Sequence, residues 1–369
     1  VVRGALVALV VVVALGLVAS RISTHDYAIT PGGAEPVGPL ITIDGQHGSG
    51  AGKVLLTDVY LTPLSWLSYL SAWLDKDADI VSQDELVEPG VPVSELDAQG
   101  YLEMAQAKQS AQVAALHRLG YPVGASPEGS VITAVGSNTP ASSKLAVADV
   151  IVGVDGMPTT TACAVIRATH ELPAGTVVDL SVRPANISRD GIIANGPPVT
   201  ERIRLAAAPS SDRTTPCPGI SGPPKGYLGI AIGDEVAYSF PFRITISTPN
   251  IGGPSAGLAM TLGIIDQLSH GQLLRGHTIA ATGTIAPSGL VGDVGGVRQK
   301  AVAVTKAGAV LFLVPRFEQD AAQAGVGRGV KVDPVATLNQ ALDVLLAGGG
   351  SITMADGSSE SRDKSSTGS

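Results

Sequence analysis

The chain is poor in the residues that build metal and redox centres. Its 369 residues include two cysteines, Cys163 and Cys217, and six histidines. Two cysteines cannot supply a Cys-rich zinc site, and no histidine falls at ligand spacing such as His-Glu-x-x-His. Neither a metal centre nor a cofactor is expected. The two thiols leave two readings open, one disulfide in an oxidising compartment or a pair of free thiols. Clustered positive charge is also missing. With a net charge of −8 and no block of Lys and Arg, the electrostatic footprint of a nucleic-acid binder is absent. A complete phosphate-binding loop is lacking as well. Gly50-Ala51-Gly52-Lys53 looks like the end of one, but His47 stands where the first glycine belongs and Val54 where Ser or Thr would follow the lysine. A turn is the better reading.

The length suits about two domains of ~100–200 residues each. Hydrophobic residues make up 44% of the chain and charged residues 15%, an apolar balance that the N-terminus partly explains. Gly4 to Ala19 is almost entirely Val, Leu, Ala and Gly, and no second run of this kind follows. It is slightly short of the ~20 residues that cross a bilayer. Residues 1–20 are expected to form a single transmembrane anchor, with a signal peptide cut near Leu17-Val18-Ala19-Ser20 as the alternative. Either way the remaining domains are exported, which puts them on the extracytoplasmic side of the cell membrane.

Composition then divides the chain. Tyr27 to Pro39 is rich in Pro and Gly and should break regular structure. Residues 40–119 read as a β-rich and helical region, with a hairpin around the Gly45–Gly52 turn and a helix over Leu102–Leu119 closed by Gly120. Residues 120–207 alternate short β-rich runs (131–135, 150–154, 177–183 and 199–205) with turn residues, as a small β domain would. Proline-rich residues 208–226 read as a linker, residues 227–347 as a last domain, and residues 348–369 as a disordered tail. The expected fold class is α+β.

In the β-rich region, Ser137-Asn138-Thr139-Pro140-Ala141 is followed by Leu145 and by Asp149-Val150-Ile151-Val152-Gly153-Val154-Asp155-Gly156. This stretch resembles PDZ domains of bacterial proteases, with Ala148 in place of the usual glycine. The resemblance implies a groove in which a peptide adds as a strand, with its carboxylate near Gly120, Tyr121, Pro122 and Val123. Pro122 offers no N–H there. The plainer reading is a β domain that only spaces its neighbour from the membrane.

Further on, Gly252-Gly253-Pro254-Ser255-Ala256-Gly257 precedes an apolar run, Leu258 to Leu268. Pro254 favours a helix start, which puts the Ser255 hydroxyl at a helix N-terminus, where backbone N–H groups can hold a developing oxyanion. Gly253 and its small neighbours let a substrate backbone approach. A serine also needs a base. His270 and His277 lie beyond the helix, with no Asp partner nearby in sequence. Lys300 is better placed, in a helical run among small and apolar neighbours, because a desolvated lysine loses proton affinity and can accept the serine proton. Taken singly, such a serine is ordinarily a helix cap and such a lysine a solvated charge.

The pair, 45 residues apart, resembles the Lon protease domain, which carries Gly-Pro-Ser-Ala-Gly and then Gly-Gly-x-x-x-Lys motifs; here the latter is Gly295-Gly296-Val297-Arg298-Gln299-Lys300. Ala281-Thr282-Gly283-Thr284-Ile285 resembles the family strand whose threonine contacts the lysine, and Ala307 to Pro315 resembles a later strand. The similarity covers about Tyr227 to Leu346. One departure is Gly252, where many of these enzymes have Asp. An anchor, a PDZ-like domain and a Lon-like domain without an ATPase module resemble the membrane-anchored PDZ–Lon proteases of bacteria. That resemblance implies an ATP-independent serine endopeptidase acting on proteins or peptides. Ser255 would be nucleophile and Lys300 base, supported by Thr282, Gly253 and Pro254. The runner-up is a non-catalytic, membrane-tethered peptide-binding adaptor with a degenerate protease fold. A signal-peptidase-like Ser/Lys hydrolase fits less well, since that family lacks Gly-Pro-Ser-Ala-Gly.

Overall fold

The computed structural model describes residues 17–48, 50–86, 91–92, 95–190, 193–209, 217–220, 222 and 224–361, with Leu6, Val10 and Ala14. The expected anchor at residues 1–20 therefore lies largely outside the described residues, and among these no helix is long and apolar enough to cross a membrane.

Strands β1 (Ser23–Pro36), β2 (Ile41–Ile43) and β3 (Lys53–Ser65) lead into helix α1 (Trp66–Leu74), β4 (Asp79–Ser82) and the long α2 (Leu96–Leu119). Next come β5 (Gly124–Val135), β6 (Val150–Val154), β7 (Met157–Pro158), α3 (Ala162–Thr169), β8 (Val177–Arg183), β9 (Ala185–Ile187) and β10 (Ile193–Asn195). They continue through β11 (Val199–Arg204), β12 (Ala206–Ala207), β13 (Gly226–Tyr227) and β14 (Ile230–Ser239). The remainder holds β15 (Ile244–Ile246), α4 (Gly257–Leu268), β16 (Thr278–Ala281), β17 (Thr284–Ile285), β18 (Val291–Gly292) and α5 (Val297–Lys306). It ends with β19 (Leu311–Pro315), α6 (Gln319–Gly325), β20 (Lys331–Val335), α7 (Leu338–Ala347), β21 (Ser351–Thr353) and β22 (Ser359–Ser361).

The main sheet runs β20-β19-β16-β3-β1-β4. Its first four strands are parallel, and β1 and β4 join antiparallel. Alternation along the strands sends side chains to two covered faces. Val54, Leu56, Ile279, Ala281, Leu313 and Val335 pack with α2, α4 and α7, whereas Leu55, Ala280, Phe312 and Val314 pack with α5 and α6. Sheets covered on both faces need strands that are apolar throughout, as Val54-Leu55-Leu56 and Leu311 to Val314 are. Each fully buried Leu or Phe contributes about 1.5–3 kcal/mol.

Several expectations change here. The Pro- and Gly-rich stretch after Tyr27 does not break the chain. It is strand β1, and the ladder absorbs Pro31-Gly32-Gly33 as an irregularity between Pro31 and Ala34. Nor do β2 and β3 form a hairpin. Strand β3 is taken on both sides by β1 and β16, so β2 pairs instead with the distant β15. The region 40–119 is accordingly part of the same core as the C-terminal domain. The tail also differs: β21 and β22 pair antiparallel as far as Ser361, and Ile352 is buried in the main core.

The β domain is a separate sheet, in the order β11-β8-β6-β5-β14, over a core that includes Ile132, Ile151, Val165, Leu180 and Ile203. Its last strand, β14, comes after the expected linker, so this domain extends past residue 207 and the main core resumes at β15. Cys163 and Cys217 form a disulfide, which resolves the two readings of these residues. Helix α2 joins the two units. Ala98 and Leu102 pack on the β domain, and Ala107 to Leu119 pack on the main core.

Candidate active site

Ser255 and Lys300 come from opposite sides of the main sheet. Ser255 stands one residue before Ala256, the N-cap of α4, and Lys300 is the fourth residue of α5. Two helices on opposite faces can bring side chains together only past a strand end. That place is the carboxyl end of β16, and Thr282 occupies it. Lys300 Nζ donates to Thr282 Oγ1 at 3.3 Å, and Thr282 Oγ1 donates to the main-chain oxygen of Ser255 at 3.3 Å. Gly283 N donates to the same oxygen at 2.9 Å, Leu258 N returns to Gly283 O at 3.1 Å, and Thr282 N is held by Leu313 O at 3.0 Å. Thr282 thus links the two expected residues. No hydrogen bond joins Lys300 Nζ to Ser255 Oγ directly among the described residues.

Lys300 is only 2% exposed. Burial lowers its ammonium from the ordinary 10.5 to about 8, against the opposing charges of Asp58 and Glu318. Burial and the charge of Asp293 push the Glu318 carboxyl up, with Lys300 opposing. Gly296 fixes the start of α5 with φ 67°, and a Cβ there would lie 2.9 Å from Val59 Cγ1. Both its conformation and its surroundings exclude a side chain.

The serine loop is held from two directions. Gly253 N donates to Gly100 O of α2 at 2.7 Å, and Gly257 N closes a turn onto Pro254 O at 3.2 Å. A Cβ on Gly252 would already stand 3.3 Å from the Gly100 carbonyl carbon, so this packing crowds any side chain at that position. The second hold comes from the β9–β10 hairpin of the β domain. Asp190 accepts from Thr248 N at 2.9 Å and from Ser247 Oγ at 3.2 Å, and Arg189 O accepts from Asn250 N at 2.9 Å. Lys108 of α2 in turn donates to Asp190 O.

His270 and His277 are not near this junction. His270 follows α4 at the end away from Ser255, about 18 Å along a twelve-residue helix, and His277 precedes β16 at the end away from Thr282. The expected carboxylate loop is otherwise engaged. Gly120, φ 82°, and Tyr121 spend their N–H groups on His117 O and Leu116 O to close α2, and Pro122 has none. Tyr121 packs edge-on against Phe242, and Val123 lies against the main core. Gly120 and Tyr121 thus close a helix, and Val123 packs on the core. Sequence reasoning did not reach Asp58, Glu318, Gly100 or Asp190, because no local motif marks them and only the fold brings them to the site.

Residues 245–348 match the Lon protease (S16) C-terminal proteolytic domain. The chain is 35% identical over 112 residues to Lon protease 2 of Bacillus subtilis (strain 168), which covers 30% of this chain and 19% of that protein. It is 46% identical over 63 residues to a Lon protease of Methylocella silvestris, covering 17% of this chain and 8% of that protein. The chain thus spans less than a fifth of the length of these curated relatives. Among solved structures, the PDZ domain of an SdrC-like protein from Listeria monocytogenes is 17% identical, with a TM-score of 0.22, and covers 29% of this chain and 90% of that one.

Proposed function

We propose, given that residues 245–348 are a Lon-type proteolytic domain, that the chain is a serine endopeptidase using Ser255 as nucleophile and Lys300 as general base. The observation that carries this reading is the buried lysine of lowered pKa, linked through Thr282 to the backbone of Ser255. A lysine on a helix ordinarily reaches water. One that ends inside the protein, beside a serine at a helix start, is arranged to lose its proton.

In this mechanism the neutral fraction of Lys300 takes the proton as Ser255 Oγ attacks the scissile carbonyl. Catalytic hydrogen bonds are often long or misaligned before substrate arrives, so rotation of the serine would complete the contact with Nζ. The Ser255 and Ala256 amides have no protein partner among the described residues and can hold the oxyanion, since Gly257 and Leu258 N–H are already bonded. Lys300 then returns its proton to the leaving amine, and water releases the acyl group. Thr282 and Gly253 position the pair, and Pro254 starts the turn.

We further propose that the reaction needs no ATP and takes place outside the cytoplasm, on an N-terminal membrane anchor. Gly50 to Gly52 runs directly into β3, with Lys53 N bonded to His277 O at 2.9 Å, as a strand start rather than a phosphate cradle. The Cys163–Cys217 disulfide fits an oxidising compartment. The β domain would recruit protein or peptide substrates by strand addition, for which the outer strands β11 and β14 offer edges. Purified wild-type and Ser255→Ala protein would be assayed on unfolded casein without nucleotide. Cleavage by the wild type alone is expected; equal behaviour of the two would return the chain to the adaptor reading.

A further inference from the structure

Helix α1 does not bury its apolar face. Of Trp66-Leu67-Ser68-Tyr69-Leu70-Ser71-Ala72-Trp73-Leu74 only Ala72 is buried, while Trp66, Leu67, Leu70, Trp73 and Leu74 are 49–70% exposed. Spacings of three, four and seven place these five on one side of the helix. Tyr60 and Leu61, in the strand that leads into α1, are exposed as well. From Val59 to Leu74 there is no charged residue, and Asp75-Lys76-Asp77 follow at once. An apolar surface of this kind on a protein marks a contact.

The fold says what lies beside it. Trp66 N donates to Ile22 O at 3.1 Å, and Ser23 pairs with Ser65. Helix α1 therefore starts where the N-terminal segment ends, and that segment is the chain's one long apolar run. Tryptophan and tyrosine favour the boundary between lipid headgroups and acyl chains, where an apolar ring and a polar N–H or O–H are both accommodated. A second copy of the chain is a poorer occupant. Nine helical residues are about 14 Å long and ~10 Å wide, well below the ~800 Å² per partner of a stable protein interface. A bilayer sets no such minimum, since each buried Leu or Trp contributes separately.

We propose that α1 lies in the membrane surface beside the N-terminal segment and forms a second, interfacial contact with lipid. The proposal rests on the membrane-anchored reading above. It also sets the orientation of the active site. Arg298 donates to Lys76 O at 2.8 Å and to Ala78 O at 3.2 Å, and Gln299 donates to Asp79 at 2.6 Å. These are the two residues before Lys300, so the helix of the base is fastened to the segment that follows α1. Substrates would then be protein segments close to the bilayer surface.

Trp66 and Trp73 are the only two tryptophans, so tryptophan emission, excited selectively beside the seven tyrosines, reports on this helix alone. The full chain would be reconstituted into phosphatidylcholine–phosphatidylglycerol vesicles containing lipid brominated high on the acyl chain, then floated and its emission read. The expected result is a floating protein whose emission is blue-shifted and loses at least half its intensity to the bromine. A Leu67→Gln, Leu70→Gln, Leu74→Gln variant, altered only at exposed positions, should float but lose most of that quenching. Undiminished quenching in the variant would mean mere nearness to the anchor and would overturn the proposal. So would a floating wild type without quenching, which leaves anchoring intact; a blue shift that vanishes on dilution would then identify a second copy on this face. A chain that stays off the vesicles overturns both readings together.

Discussion

A lysine in water holds its proton at neutral pH, and Lys300 gives up about 3 kcal/mol of that preference when burial lowers its pKa from 10.5 to about 8. Two measurements follow from this shift. Activity should rise about tenfold per pH unit up to roughly pH 8 and then level, because only the neutral amine accepts the serine proton. Glu318→Gln should move that rise to lower pH, since the carboxylate helps to keep the proton on Lys300. A rise unmoved by this change, or centred far from 8, would argue against Lys300 as base. Stability obeys the same shift with its own sign. Between pH 8 and 10.5 the unfolded chain binds the proton that the folded chain has lost, so stability grows with pH across that window and the penalty is full below it. Lys300→Met should therefore abolish cleavage and yet raise the melting temperature at neutral pH, which calorimetry would show. At this scale the sequence was informative where chemistry and motif coincide. Ser255 and Lys300, ordinary when taken singly, stood out only as a pair through a family resemblance, and Thr282 through the same resemblance. Asp58 was not, because only the packing of α5 against β3 brings it near Lys300.

Among the elements, the β9–β10 hairpin has the most direct route to the serine. Its Asp190 accepts hydrogen bonds from Ser247 and Thr248, seven or eight residues before Ser255. A β domain that only recruits substrate would affect protein cleavage and spare short peptides. These contacts instead predict that Asp190→Ala lowers kcat on both, by roughly ten- to a hundredfold if one charge-assisted hydrogen bond of about 1.5–3 kcal/mol is lost. Asp190→Asn should recover part of it, and an unchanged peptide kcat would show the hairpin to be a spectator. The regular elements were readable in advance. Helix α2 ends at Gly120 and α5 shortly before Gly308, both with positive φ, and the strands of the β domain coincide with the β-rich runs. Misreadings fell where pairing is remote. Pro31-Gly32-Gly33 has the composition of a loop and becomes strand because β3 pairs with β1 on either side of it, and the polar sequence after Gly348 pairs because Ile352 finds a place in the core.

In the whole molecule, the main sheet is assembled from both ends of the chain, with the β domain inserted between them. A fragment ending at Ser239 would keep β1, β3 and the β domain's own sheet but lack β16, β19 and β20. It should retain β-domain packing and the Cys163–Cys217 disulfide while the amides of β3 exchange rapidly, a contrast that hydrogen exchange on fragment and full chain would resolve. Slow exchange at Val54 to Leu56 in the fragment would refute this division. Composition could not reveal the arrangement, because each half of the sheet reads by itself as an ordinary set of strands. The same pairing governs timing during biosynthesis. Lys53 finds its partner at Thr278. At ~5–20 residues per second the ribosome needs about 10–45 s to supply it, and until then one edge of β3 stays open. Ser255 is made before β16, and Lys300 after it, so the two cannot be aligned until synthesis has passed Lys300. With the proposed dyad, a nascent molecule is thereby kept inactive by the order of its own sequence, a delay of the kind that proteases obtain from a removable pro-segment.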